Sequence, residues 1–314
     1  MSVWDDLDLL LDSPSPLTVT STTRGTVKDK PNFKAEDDVT ALRKAMEGLG
    51  TTEKTLIEVL TQRSSAQREL IAKAYEKATG RTLVADLKGD TSGDFEDLLV
   101  ALVTPPGVYD CHVVKKAMKG LGTTESTLIE IFASRSNRQI KALSDAYLAG
   151  REPQHKGFQH MFTIYSSLST QALYEAGEKK WGTDEAKFID ILCHRSIPQL
   201  RQTLIEYKNI SKKTLQESIE SEMSGNLEKL LVAVVKCVKN VPTYFAEMLY
   251  NSMKGAGTTE STLTRILVSR SEVDLLDIRA EYKKLFGCSL YSQLESEVSG
   301  NYGNALRNLC GQGE

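Results

Sequence analysis

The chain reads Met46-Glu47-Gly48-Leu49-Gly50-Thr51, and an acidic residue, Asp90, stands forty positions after Gly50. Glycines let a short loop take backbone conformations that other residues resist, so several carbonyl oxygens can turn toward one point. Calcium binds about six to eight oxygens from carbonyls, carboxylates and water in flexible geometry. The stretch therefore predicts a cation site made of loop carbonyls and one carboxylate, with water positions that a lipid phosphate oxygen can take.

The same type of loop occurs three more times, at 118–123, 178–183 and 253–258. Two of these copies are followed, forty positions after the last glycine, by an acid, Glu222 or Glu297. A single copy is better explained by helix punctuation, because glycine ends one helix and threonine caps the next. Helix punctuation does not require a carboxylate at a fixed distance, so the three loop–acid pairs favour cation binding.

The second copy of the pattern is incomplete. Phe162, which is not acidic, stands forty positions after Gly122. The interval from Arg135 to Arg195 is 60 residues, against 72 and 75 for the corresponding intervals on either side. We therefore expect a shortened second copy whose loop at 118–123 binds calcium weakly or not at all.

An arginine–serine pair stands thirteen positions after the last glycine of every loop. Each serine is followed three residues later by Gln or Asp, which predicts that a capping box opens the next helix. Because a guanidinium carries five donors, we expect the arginines to be structural and to donate to loop carbonyls. The pairs are Arg63-Ser64, Arg135-Ser136, Arg195-Ser196 and Arg270-Ser271.

The fold class predicted from this repetition is all-α. Apolar residues recur at helical spacing, and no run alternates with a period of two between turn residues. In the first copy, one helix ends at Gly48 and a second begins at Thr51 or Thr52. A third runs from Ser64 through Tyr75, a fourth covers about 82–88, and a fifth covers 95–103. The predicted organisation is an N-terminal tail (1–35) and repeats at 36–104, 105–169 (truncated), 170–240 and 241–314.

Composition is that of an ordinary globular protein of 314 residues, with 40% hydrophobic and 26% charged residues. No apolar run approaches the length of a membrane span. The net charge of −3 disfavours a general attraction to nucleic acid or anionic lipid, so bound calcium would have to supply positive charge. Five scattered cysteines without a Cys-x-x-Cys pair, and an N-terminus without a secretory signal, predict a cytoplasmic protein.

The N-terminal tail has its own character. Val3, Trp4, Leu7, Leu10 and Leu11 fall at helical spacing among acidic residues, and a Ser/Pro/Thr-rich linker follows. This pattern is compatible with a docking helix for a protein partner. A helix this short is marginal alone, which favours a tail that is disordered or packed on its own domain.

The loop–acid pairs, the variant Trp181-Gly182-Thr183-Asp184-Glu185 and the Arg-Ser pairs resemble the annexin family. Two further stretches, 24–27 and 269–279, are similar to one vertebrate type of that family. The resemblance covers nearly everything from about residue 24 to 314, apart from roughly 150–170. It implies four five-helix repeats in a slightly curved disk, with the second repeat incomplete and the loop sites together on the convex face.

The function implied by the resemblance is reversible, calcium-dependent binding to anionic phospholipid membranes, with the protein peripheral on membranes when calcium rises. Trp181 is implied to contact lipid, although a partly buried anchor is about as compatible with the sequence. The ligands expected for calcium are Met46, Gly48, Gly50 and Asp90 in the first repeat, Gly177 (or Glu178), Lys180, Gly182 and Glu222 in the third, and Met253, Gly255, Gly257 and Glu297 in the fourth.

Two other functions remain open from the residues alone. One is a calcium-independent helical scaffold that binds proteins through its N-terminal segment or a concave face. The other is an enzyme acting on lipids, which is disfavoured because no nucleophile–base pair is readable. The chain also lacks a Gly-x-x-x-x-Gly-Lys phosphate loop, a convincing zinc spacing and an EF-hand loop. We therefore expect a binding protein that is not an enzyme.

Overall fold

The computed structural model describes residues 24–47, 51–119, 124–149, 185–194, 197–255 and 257–311. These residues form seventeen α-helices, and no strand occurs among them, so the all-α prediction is confirmed for this part of the chain. The first repeat contains α1 (Ala35–Met46), α2 (Glu53–Thr61), α3 (Ser65–Thr79), α4 (Leu83–Asp90) and α5 (Gly93–Val103). The second contains α6 (Pro106–Met118), α7 (Glu125–Ser134) and α8 (Asn137–Ala149).

The third and fourth repeats supply the remaining helices. The third contains α9 (Glu185–His194), α10 (Ile197–Ser211), α11 (Leu215–Glu222) and α12 (Gly225–Lys239). The fourth contains α13 (Val241–Met253), α14 (Glu260–Arg270), α15 (Leu275–Phe286), α16 (Leu290–Glu297) and α17 (Gly300–Cys310).

The described residues divide into two compact units. One holds 24–109 and 245–311, which are essentially the first and fourth repeats, and the other holds the described part of 110–244. In the first unit, α1 packs on α3, α2 on α17, and α5 on α14. In the second, α7 packs on α12. These amphipathic helices thus bury their apolar faces against one another, as stacked repeats require.

Serine capping boxes open two helices where the sequence predicts them. Ser64 accepts a hydrogen bond from the backbone N–H of Gln67, and its own N–H donates to the Gln67 side chain. Ser136 and Gln139 make the same reciprocal pair. These boxes satisfy backbone donors that the first turn of a helix leaves without partners.

The arginines of the first two repeats are structural, but their main partners differ from the prediction. Arg63 donates from Nε and Nη2 to both carboxylate oxygens of Asp38, at 2.7 and 2.8 Å. Arg135 binds Asp110 in the same way at 2.8 and 2.9 Å. All four residues are buried. This carboxylate pairing was not predicted, and it suits a buried planar guanidinium because a carboxylate offers two acceptors. The loop residues 48–50 and 120–123 lie outside the described residues, so donation to their carbonyls stays a prediction.

The fourth repeat departs from this arrangement for a reason visible in the sequence. The position that corresponds to Asp38 holds Phe245, so the first helix offers the arginine no acid at that position. Arg270 instead donates to both carboxylate oxygens of Asp274, and its guanidinium lies 4.9 Å from the Phe245 ring centre. Asp274 precedes α15 without making a side-chain cap. The capping box predicted for Ser271 and Asp274 was therefore wrong, since the arginine occupies the carboxylate.

Residues 24–30 run from the fourth repeat to the first. The Val27 N–H donates to the carbonyl of Ser271 at 3.0 Å. Lys30 exchanges hydrogen bonds with the Gln67 side chain, at 2.9 Å through its N–H and 3.0 Å through its carbonyl. This end of the predicted tail is therefore fixed on helices of both repeats in the same unit.

Gly25 sets how closely this segment approaches the fourth repeat. A Cβ added at Gly25 would lie 2.5 Å from the backbone of Ser271 and Glu272, atoms that cannot move aside as a side chain can. Gly25→Ala is expected to lower the free energy of unfolding by about 1–3 kcal/mol, the usual effect of overpacking. Urea denaturation followed by circular dichroism measures it. Gly89→Ala is the control, since nothing lies within 4 Å of its added Cβ, and equal stability of the two variants would contradict the prediction.

Candidate functional site

The glycine-containing loops are closed in the same way in three repeats. In each, the backbone N–H of the second threonine after the glycines donates to a carbonyl seven residues earlier. The three bonds are Thr52 to Ala45 at 2.8 Å, Thr124 to Ala117 at 2.9 Å and Thr259 to Ser252 at 2.8 Å. The sequence repetition therefore corresponds to a repeated backbone geometry, including in the second repeat.

In the first repeat, the structure brings the end of the loop and the predicted acid together. Met46 is the last residue of α1 and Asp90 the last residue of α4. The Thr51 hydroxyl donates to the backbone carbonyl of Asp90 at 3.3 Å. The Asp90 side chain is exposed, so its carboxylate is available to a cation from solvent.

The structure describes more of the loop in the fourth repeat than in the first. Gly255 and Gly257 have φ angles of 111° and 123°, in a region that side chains with a Cβ rarely adopt, and both are exposed. Met253 is the last residue of α13 and is buried, which anchors the start of the loop. Replacing either glycine would strain the turn that exposes the loop carbonyls.

The acid of the fourth repeat, Glu297, lies near a hydrogen bond that connects its part of the chain to the end of this loop. Glu297 is exposed at the end of α16 and accepts a hydrogen bond from Gln293 at 2.9 Å. The hydroxyl of Tyr302, five residues later, donates to the carbonyl of Glu260 at 2.9 Å. Because Glu260 begins α14 directly after the loop, this bond holds the loop end and the acid-bearing turn together.

In the third repeat, the structure describes only the acid of the predicted site. Glu222 is half-buried and is the last residue of α11, the same place that Asp90 and Glu297 take on their helices. The other predicted features lie outside the described residues. They are the ligands Gly48, Gly50, Gly177, Glu178, Lys180 and Gly182, the lipid-contact residue Trp181, the second loop at 120–123 with Phe162, and the predicted docking segment 1–12.

The oxygen ligands available at these candidate sites fit a hard cation that is bound mainly by backbone carbonyls. The described parts offer exposed loop backbone in the fourth repeat and one predicted carboxylate in each of the first, third and fourth repeats. Within the described ranges, no three His, Cys, Asp or Glu side chains group closely enough to hold an ion by themselves. Such a donor set suits calcium, which accepts backbone carbonyl and water oxygens, and does not suit zinc, which prefers nitrogen and sulfur ligands.

A polar cluster beside the first-repeat acid was not predicted. The hydroxyl of Tyr75 donates to the carboxylate of Asp86 at 2.7 Å, and Arg81 pairs with the same carboxylate at 3.2 Å. Burial first, and the Asp86 bond second, raise the pKa of Tyr75, so this residue remains a neutral donor. An alignment of the copies could have indicated the cluster, because the charged residues Arg81 and Asp86 of the first repeat correspond to the uncharged Cys288 and Gln293 of the fourth.

Comparison with known proteins identifies the repeats. The annexin family model matches the chain at 37–102, 109–150, 170–234 and 244–309, and the second match is the short one. Annexin A3 of Mus musculus is 48% identical over 317 residues, covering 92% of this chain and 97% of that protein. This relative agrees with the vertebrate type to which 24–27 and 269–279 are similar.

Solved structures give the same result for the fold. Annexin III matches with a TM-score of 0.87 at 48% identity, covering 93% of this chain and 98% of that one. Calcium-bound annexin (Sm)1 matches with a TM-score of 0.81 at 31% identity, covering 92% of this chain and 93% of that one. Among the described residues, no helix is long and apolar enough to cross a bilayer. The four matched repeats and the extent of these similarities show that the chain belongs to the annexin family.

Proposed function

We propose that this protein binds anionic phospholipid membranes reversibly, through calcium held in the first, third and fourth repeats. The observation that carries the proposal is the repeated pairing of a closed glycine loop with an acid at the last position of the fourth helix. In the first repeat, the Thr51–Asp90 bond joins the two directly. Annexins in general bind phospholipid in a calcium-dependent manner and are generally non-enzymatic binding proteins.

The proposed ligands follow the predicted sets. Carbonyls of Met46, Gly48 and Gly50 act with Asp90. In the third repeat, carbonyls of Gly177 or Glu178, Lys180 and Gly182 act with Glu222. In the fourth, carbonyls of Met253, Gly255 and Gly257 act with Glu297. Calcium is the proposed cation because it is bound in the related annexin (Sm)1 structure and suits carbonyl donors.

Bound calcium would supply the positive charge that this protein lacks. The chain has a net charge of −3 and carries exposed carboxylates at Asp90 and Glu297. An anionic membrane is therefore repelled until calcium neutralises these groups. Several sites that are individually weak bind a membrane strongly when they engage it together, so binding should rise steeply with calcium.

Two finer features belong to the same proposal. Trp181 lies in the third loop and would enter the lipid interface, as tryptophan does at membrane surfaces. The protein would be cytoplasmic and would become peripheral on membranes when calcium rises. A protein partner at the N-terminal segment 1–12 remains a separate proposal, because that segment lies outside the described residues.

The test is co-sedimentation of the purified protein with phosphatidylserine vesicles, first with calcium and then with a chelator. Pelleting that requires calcium and reverses with chelator is the expected result. Partitioning onto vesicles that is insensitive to calcium would favour the calcium-independent scaffold instead. A soluble, helical protein that never pellets would contradict membrane binding.

A further inference from the structure

A buried hydroxyl group in the fourth repeat lacks a hydrogen-bond acceptor. Tyr282, on α15, is fully buried, and its hydroxyl has no hydrogen-bond partner among the residues that the structure describes. Burial first, and the charge of the nearby Cys288 second, raise the pKa of Tyr282, so the phenol keeps its proton and remains a donor. A buried donor without an acceptor is destabilising, so a group that brings an oxygen to this hydroxyl is favoured.

The corresponding tyrosine of the first repeat has the acceptor that Tyr282 lacks. A constant offset of 207 residues relates the two repeats and places Tyr282 at the position of Tyr75. The Tyr75 hydroxyl donates to the carboxylate of Asp86 at 2.7 Å, and Arg81 pairs with the same carboxylate at 3.2 Å. The first repeat therefore shows where the tyrosine hydroxyl of this fold directs its hydrogen bond.

Gln293 stands at the position of Asp86, but it is engaged by other partners. Its Nε2 donates to the carboxylate of Glu297 at 2.9 Å. Its Oε1 accepts from the thiol of Cys288, with sulfur and oxygen 3.5 Å apart. Cys288 itself takes the position of Arg81. The thiol is therefore the group on this side of the buried hydroxyl that can gain an oxygen atom.

Cys288 is more accessible than the other cysteines whose side chains the structure describes. Cys111, Cys237 and Cys310 are buried, whereas Cys288 is half-buried and lies between the end of α15 and the start of α16. Burial raises the pKa of Cys310 to about 12, so that thiol stays protonated and unreactive. Because oxidation of a cysteine follows its exposure and thiolate character, Cys288 is the thiol among these four that a small oxidant reaches.

We propose that Cys288 is a site of oxidation by hydrogen peroxide, and that the oxygen of the resulting sulfenic acid accepts a hydrogen bond from Tyr282. The sulfur attacks one peroxide oxygen, a sulfur–oxygen bond forms and the O–O bond breaks. The hydroxide that leaves takes the thiol proton and becomes water, so the sulfur is oxidised and the peroxide is reduced. The new oxygen takes the role that Asp86 has for Tyr75. The proposal goes beyond membrane binding, since the reaction needs neither calcium nor lipid.

The experiment treats the purified protein with limiting hydrogen peroxide, removes the peroxide and adds dimedone, which traps sulfenic acids. The tryptic peptide 285–307 contains Cys288 as its only cysteine, so mass spectrometry of this peptide reports on one thiol. The wild type should form the adduct there. Tyr282→Phe should lower its yield about tenfold, the effect of losing one hydrogen bond. Tyr75→Phe makes the same change in the first repeat and is the matched control, which should leave the yield unchanged.

Alkylation distinguishes stabilisation of the sulfenic acid from access to the thiol. Iodoacetamide modifies the thiol without bonding an oxygen to the sulfur, so its rate at Cys288 should be the same in the wild type and in Tyr282→Phe. The absence of a dimedone adduct at Cys288 in the wild type would overturn the proposal. So would an undiminished adduct in Tyr282→Phe, or equal losses of adduct and alkylation in that variant.

The stability of the reduced protein tests the unpartnered hydroxyl directly. Tyr75→Phe removes the donor to Asp86 and should lower the urea concentration at half-unfolding. Tyr282→Phe removes a donor without an acceptor, so its midpoint should equal or exceed that of the wild type. A midpoint for Tyr282→Phe as low as that for Tyr75→Phe would show that the hydroxyl already has a partner, and the proposal would fail.

Discussion

Replacing Asp90, Glu222 and Glu297 together by Asn, Gln and Gln is expected to abolish calcium-dependent pelleting with phosphatidylserine vesicles. Each site would lose its only proposed carboxylate, and a neutral amide oxygen is a much weaker ligand for calcium. Because the sites act jointly on one membrane, their losses multiply, and apparent affinity should fall by about a hundredfold or more. Helix content should remain, since all three side chains end their helices outside the fully buried core.

A control variant with the same change in charge separates ligand loss from general electrostatics. Glu76, Glu220 and Glu295 are exposed acids, and the last two lie two residues before the site acids on the same helices. Changing these three to Gln should leave pelleting at its wild-type calcium concentration. Pelleting of the site variant at the same calcium concentration as this control would disprove the ligand assignment.

Much of the architecture was predictable because the same sequence pattern occurs in several repeats. Helical periodicity, loop glycines and serine caps each act within a few residues, so the sequence predicted the end of α1 near Gly48 and the start of α3 at Ser64. The placement of Asp90 beside its loop came from a spacing that recurs in three copies. At these positions the local conformational preferences and the repeated spacing predict the same structure, and sequence patterns are most reliable when the two agree.

The partners of the buried arginines could not be predicted in the same way. Asp38 precedes Arg63 by 25 residues, and Asp110 precedes Arg135 by the same interval, but periodicity alone does not show that these side chains meet. The sequence left open whether the tail packs on its own domain or is disordered. The packing of residues 24–30 could not be predicted in detail, since it depends on a close approach at Gly25 that only the folded chain reveals. Such long-range contacts arise from packing and not from local preference.

Asp38→Ala is expected to be among the most destabilising single changes in the first repeat, lowering the free energy of unfolding by about 3–5 kcal/mol. Arg63 is buried, and Asp38 provides both acceptors for its Nε and Nη2 donors. Removing the carboxylate leaves a charged guanidinium without that compensation in a site that excludes water. Urea denaturation followed by circular dichroism measures the effect. Asp37→Ala, at an exposed acid next to it, should cost less than about 1 kcal/mol, through the helix dipole alone.

A double variant distinguishes the buried charge from the lost packing. Asp38→Leu with Arg63→Met replaces the ion pair by apolar groups and should be close to the wild type in stability, because no uncompensated charge remains. The fourth repeat supports this reasoning, since Phe245 stands in place of the acid and Arg270 is instead satisfied by Asp274. The first repeat has the neutral Gln67 at the position of Asp274, so Arg63 has no such substitute. A double variant as unstable as Asp38→Ala would show that side-chain shape, and not the uncompensated guanidinium, sets the cost.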